Sequence, residues 1–224
     1  MKKRNKIVVL ALVFVLSFLP FSFLGVHNVS ASENQKVTQA DLEKNFLYEL
    51  ENYNSVGLTK QEAQNNYDIY MSMSKAKKKE VTNLVNNPSE FDNKVTRNGA
   101  LVEGNGLQQY ASKNKTVYVP MKVFGITWMK WAARGSYKTS GKRVSSASGI
   151  SAYLYYKNPL FALYSSSIKD KYCYVSGGKY KGRVKANIKG GYGNWGLQVM
   201  RIDFTITVNY QGKGSYKINS TKFL

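Results

Sequence analysis

One cysteine and one histidine in 224 residues leave little of the usual catalytic chemistry available. The histidine, His27, lies in an N-terminal stretch that reads as a secretory signal, so the exported chain is expected to carry no imidazole. Ser–His–Asp and Cys–His nucleophile pairs need a histidine to take the nucleophile's proton, and both are excluded on that reading. Histidine-containing zinc sites go with them, and the single thiol of Cys173 cannot build a cysteine site. Nor can it close an internal disulfide, so stability must come from packing. Set among Tyr172, Tyr174 and Val175, Cys173 reads as a small buried hydrophobe rather than a link between chains.

Acids are the next scarcity. Beyond residue 112 the chain has only Asp170 and Asp203. A calcium site wants several clustered carboxylates, and the earlier, acid-richer half shows no D-x-D-x-D loop. No metal and no cofactor is expected. Paired-carboxylate glycoside hydrolysis would have to use Asp170 and Asp203 or borrow acids from the first half. Asp203 alternates with apolar residues and reads as a surface ion pair, and Asp170 reads as a turn residue. A hydrolase using Asp203 is therefore the third-ranked reading, behind two non-enzymatic ones.

Two motif matches fail on context. Residues 191–196 fit G-x-G-x-x-G, but a dinucleotide site needs that motif to open a helix, and an alternating strand follows instead. The glycines suit a hairpin loop better. Ser166-Ser167-Ile168-Lys169 fits S-x-x-K, yet its companion S-D-N and K-T-G elements are missing.

What is present falls into segments. Residues 1–31 combine Lys2, Lys3, Arg4 and Lys6, an apolar run over 7–19, Pro20 and a Val29-Ser30-Ala31 end. That is the layout of a signal cleaved after Ala31, as in a Gram-positive exporter's product, and the polar residues that follow favour cleavage over a membrane anchor. No second apolar run follows, so a secreted, soluble product is expected. It would have 193 residues and a formal charge of +16. The charge is uneven: residues 32–112 hold nine basic and eleven acidic side chains, and those beyond 112 hold twenty basic and two acidic. So lopsided a field draws polyanions and speeds encounter with them.

Residues 32–98 read as short helices. Thr38 and Asp41 resemble a capping box, Thr59 and Glu62 form a full one, Ser74 caps a third helix, and Pro88 opens a last turn. The lysine run at Lys75, Lys77, Lys78 and Lys79 reads as a solvated helix face. Residues 99–115 read as a linker. Residues 116–224 read as a basic β domain of seven to nine strands, an antiparallel sandwich or barrel, giving an α+β chain overall. Within it, 160–164 and 172–175 are expected as two short strands.

The cations supply the functional clue. Lys179, Lys181, Arg183, Lys185 and Lys189 occur within eleven residues and alternate with Val184, Ala186 and Ile188, so a strand would send several to one face. Tyr180, Tyr192 and Trp195 flank them as candidate interfacial aromatics. A solvated hairpin face would look the same. The sharper readings are polyanion binding and attack on anionic membranes, with oligomerisation on the membrane left open. Nucleic acid is an anion of the right kind, but no motif points to it. The acidic helical half could also mask the basic half by packing on it.

A signal peptide, a small helical segment and a basic Tyr/Gly-rich β region together resemble the secreted large bacteriocins and antimicrobial proteins of bacilli. The resemblance is of layout, and it implies an antagonistic protein without assigning any residue. The expectation is a non-enzymatic protein that binds anionic lipid or wall polymer of bacterial envelopes and damages them. The alternative is a wall-polymer or matrix binder that does not kill.

Overall fold

The computed structural model describes residues 36–91, 94–101, 112–160, 163–190 and 198–223. The signal-like segment, Tyr192, Trp195 and the glycine-rich stretch at 191–196 lie outside the described residues.

The helices start where the capping signals put them. Helix α1 (Gln39–Glu51) begins at Thr38, whose side chain accepts from the Asp41 amide while the Asp41 carboxylate accepts from the Thr38 amide. Helix α2 (Tyr53–Val56) ends on Gly57, held at φ 85° where L-residues pay a steric penalty. Helix α3 (Lys60–Met71) has the full Thr59–Glu62 box, and α4 (Lys75–Asn86) is capped by Ser74. A 3₁₀ turn, Pro88–Phe91, follows. Leu42, Phe46, Tyr70, Val81, Leu84 and Phe91 face inward from these elements, with Phe46 packed on Tyr70 at 4.9 Å between rings.

Among the described residues eight strands follow: β1 (Asn98–Leu101), β2 (Ser112–Val123), β3 (Ile126–Ser140), β4 (Arg143–Lys157), β5 (Leu163–Ser176), β6 (Lys179–Gly190), β7 (Gln198–Val208) and β8 (Gly214–Phe223). They form two antiparallel sheets, ordered β1-β8-β7-β6-β5 and β2-β3-β4. The chain is thus α+β and rich in strand. Phe124 and Gly125, both at positive φ, make the two-residue turn between β2 and β3.

Three expectations change. Residues 99–115 are not a linker throughout, since β1 pairs with β8 and β2 begins at Ser112; residues 102–111 lie outside the described residues. The helical and β segments also belong to one compact unit, 31–224. The two short strands expected at 160–164 and 172–175 are one, β5, because its polar middle pairs with β6 along its length. A register shift between Ile168 and Asp170 breaks the alternation that would have revealed it.

Burial along β3 explains how the layers meet. Residues 126–133 are all buried, and alternation begins only after them. One face of that first half packs on the helices, as Phe46 against Trp128 at 6.0 Å shows, and the other on the five-stranded sheet, as Trp131 against Phe204 at 6.0 Å shows. Closer to the far end, Tyr180 of β6 lies over Gly135 of β3 and donates to the Gly149 carbonyl at 2.7 Å. A Cβ on Gly135 would come 2.5 Å from that ring, so the close approach requires glycine.

The helices are tied to the sheet by a buried polar cluster. Glu49 of α1 is fully buried and accepts from Tyr156 Oη at 2.8 Å and Asn158 Nδ2 at 2.9 Å. Burial pushes its carboxyl up to about 7 despite these hydrogen bonds. Beside it, Asn66 of α3 exchanges hydrogen bonds with the Thr127 backbone, its Oδ1 accepting at 2.9 Å.

Candidate functional site

The outer face of the five-stranded sheet collects the cations. Strand β6 sends Tyr180, Gly182, Val184, Ala186 and Ile188 inward, where all are buried. By the strand's twofold period, Lys179, Lys181, Arg183, Lys185 and Lys189 stand on the other side, about 7 Å apart except where Asn187 intervenes before Lys189. The register adds neighbours the sequence alone could not place there. Lys181 stands opposite Thr207 and Arg183 opposite Thr205, and these in turn face Ser215 and Lys217 of β8. Arg201 stands beside Asn187 and opposite Lys222. On the other flank, Tyr172 and Tyr174 of β5 face Arg183 and Lys181. Their rings stack at 6.0 Å and 24°, and each is 42% exposed.

Eight cations therefore share this face with two acids, and both acids are taken. Asp203 is clamped by Arg183, whose Nε donates to Oδ1 at 2.9 Å and whose second nitrogen donates to Oδ2. Asn219 Nδ2 also donates to Oδ1, at 2.8 Å. Partial burial opposes ionisation of Asp203, but the Arg183 and Asn219 hydrogen bonds outweigh it and hold the carboxyl below its ordinary value. Asp170 pairs with Lys185 at 3.2 Å. Lys179, Lys181, Lys189, Arg201, Lys217 and Lys222 make no ion pair among the described residues. Arg183 also donates to Tyr172 Oη at 3.1 Å, so its guanidinium is held between β5 and β7.

The five expected cations are thus brought together on one face, and their alternation with buried Val184, Ala186 and Ile188 is as the sequence suggested. Arg183 and Lys185 are engaged with acids, which leaves Lys179, Lys181 and Lys189 of the original set. Tyr180 needs correction: it is fully buried between the sheets, because its even position in β6 points it inward, so it touches no interface. Tyr192 and Trp195 lie outside the described residues. The aromatics that the described residues expose beside these cations are Tyr172 and Tyr174. Their alternation about Cys173, which packs half-buried against the core, was the available signal.

The acidic helices do not mask this face. They cover the first half of β3, and their acids are spent locally: Glu43 on Lys78 at 2.9 Å, Glu80 on Lys77 and Lys94 at 2.7 Å, and Glu62 on Lys130 at 2.8 Å. Lys179, Lys189, Arg201, Lys217 and Lys222 stay exposed.

Ser166 and Lys169 of the S-x-x-K match lie in strand β5, not at a helix start. Among the described residues there is no cluster of three or more His, Cys, Asp or Glu that could hold a metal ion, and no helix is long and apolar enough to cross a membrane. No protein-family model, curated protein or solved structure matches the chain.

Proposed function

We propose that this chain is a secreted, non-enzymatic protein that docks on the anionic envelope of bacteria through the outer face of β5–β8 and acts there as a bacteriocin-like antimicrobial. The observation that carries the reading is the set of six cations on one sheet face without an acid partner among the described residues. We read the two sheets as the leaves of a β-sandwich, a rigid frame that fixes those charges at strand spacing. Each lysine or arginine held near an anionic lipid surface contributes about 1 kcal/mol, and neutralising a polyanion also releases its counterions. Tyr172 and Tyr174 supply flat, amphipathic contact area beside the charges.

The second reading, a wall-polymer or matrix binder without killing activity, is favoured by the chemistry between the cations. Asn187, Thr205, Thr207 and Asn219 occupy that ground, and they suit hydrogen bonding to a hydrated polymer better than entry into a bilayer. Asp203 as a hydrolytic group is the weakest reading, because Arg183 and Asn219 occupy its carboxylate and keep it ionised.

Dye release from anionic and zwitterionic vesicles over a salt series decides between the first two. Release from anionic vesicles only, suppressed by salt and lost when Lys179, Lys181, Arg183, Lys185 and Lys189 are all replaced by alanine, is the expected result. Release that survives the replacement overturns the assignment of the face. Retention of purified teichoic acid without any release selects the second reading.

A further inference from the structure

A groove of about 550 Å³ opens where the α2–α3 junction meets the three-stranded sheet, with Gly214 of β8 also in its lining. Its floor is aromatic. Tyr118 of β2 and Tyr155 of β4 meet at 5.0 Å and 60°, and Tyr53 closes the helical side. Lys130 lies beneath, its ammonium 5.3 and 5.1 Å from the two ring centroids and 2.8 Å from Glu62 Oε2. The same Glu62 oxygen accepts the Thr59 amide at 2.8 Å. Burial opposes ionisation of Glu62, but Lys130 and the Thr59 amide outweigh it and keep the carboxyl below its ordinary range. Lys130 is therefore neutralised from within.

Lys60 and Lys115 are not. Both line the groove, and neither has an ion pair among the described residues, so the opening carries an excess of positive charge. The walls are set in advance. Gly57 is in the left-handed region at φ 85°, and a Cβ there would come 3.1 Å from the Tyr155 carbonyl oxygen and 3.3 Å from its ring. The helical chain is thus pressed directly on Tyr155, and the Thr59–Glu62 box locks the start of α3 beside it. Tyr155 nonetheless remains 40% exposed.

An open groove with tyrosine faces on its floor, Asn54 and Thr116 as neutral hydrogen-bonding groups, and two uncompensated lysines suits a small occupant that is flat, hydroxylated and negative. We infer that this groove binds an acidic sugar unit, its ring face on the exposed Tyr155 and its carboxylate or phosphate on Lys60 and Lys115. This goes beyond the docking face. It is a separate site that would select one component of an anionic polymer, where the sheet face reads only charge.

Isothermal titration with a glucuronate-containing tetrasaccharide, glucose 6-phosphate and uncharged maltotetraose tests the inference on residues 32–224. The expected result is binding of an acidic probe at least tenfold tighter than maltotetraose. The tetrasaccharide and the sugar phosphate separate a carboxylate ligand from a phosphate one. Tyr155→Ala and the rim variant Asn54→Trp should each weaken that binding at least tenfold. Asn54 is exposed, so the melting temperature of Asn54→Trp should hold, which keeps the test independent of the packing that Tyr155→Ala loses against Gly57. Replacing Lys181, Lys189 and Lys217 on the outer sheet face should leave it unchanged. Equal binding of charged and uncharged probes, no binding of any of them, or acidic binding that ignores both groove variants and falls with the outer-face lysines would each overturn it.

Discussion

The helical side and the outer face of the five-stranded sheet treat charge in opposite ways. On the helical side acids and cations close on each other, with Glu62–Lys130, Glu43–Lys78 and the Lys77–Glu80–Lys94 cluster all within 3 Å. On the sheet face two acids are outnumbered by eight cations, and six of those have no acid partner among the described residues. A closed set of pairs serves the fold. An open set raises self-repulsion and is retained where something outside the molecule offsets it. The contrast separates residues whose loss should unfold the protein from residues whose loss should weaken its attraction for anions.

The largest effect on stability is expected at Glu62. Its partner Lys130 has a side chain only 5% exposed, so Glu62→Ala would strand a buried ammonium. The expected loss is about 3 kcal/mol, or roughly 6–12 °C in melting temperature for a chain of this size. Calorimetry checks it, and a change below about 1 kcal/mol would mean that the pair is solvated.

Next comes Glu49. Its carboxyl titrates near 7 in the fold, against an ordinary value of 4.5. The folded state therefore holds the proton more tightly than the unfolded chain. The stabilisation is complete below about pH 4.5, falls as pH rises towards 7, and is gone above that, a swing on the order of 3 kcal/mol. Glu49→Gln keeps an acceptor for Tyr156 and Asn158 and should flatten the curve in that window, raising stability at pH 8. Denaturant midpoints at pH 5 and pH 8 measure it. An unchanged pH slope in the variant would show that Glu49 is hydrated. The depressed carboxyls of Asp203 and Glu62 act in the opposite sense, since their contribution is present at neutral pH and is lost as pH falls through their folded values.

The smallest effect is expected at Asp170. Its pair with Lys185 is 3.2 Å long between side chains 48% and 39% exposed, so Asp170→Asn should change stability by less than about 0.5 kcal/mol. It should still tighten polyanion binding slightly by freeing Lys185. Weaker binding would contradict the assignment of this face.

How far the sequence could be read follows from which interactions are local. Thr38, Thr59 and Ser74 announce helix starts because a cap and its amide lie three residues apart. The alternation of β6 announces a cationic face because one strand suffices to define it. Lys217, Arg201 and Lys222 join that face only through register, whereas Tyr180 leaves it by the alternation of β6 itself, its ring lying over Gly135 in the other sheet. The long strand β5 was hidden by its register shift, and β1 by its brevity. Nothing in Tyr53, Lys60, Lys115 or Tyr155 taken singly marks a groove, since more than fifty residues separate its helical wall from its strand wall.

The most direct test of the central claim is the salt dependence of binding to purified teichoic acid, for residues 32–224 and for their Lys181→Ser/Lys189→Ser/Lys217→Ser variant. If the outer face docks the polymer, the slope of log affinity against log salt should shrink by roughly 0.7–0.9 for each lysine removed, with the melting temperature maintained. An identical slope in the two proteins would contradict the claim and place the anion contacts elsewhere on the molecule.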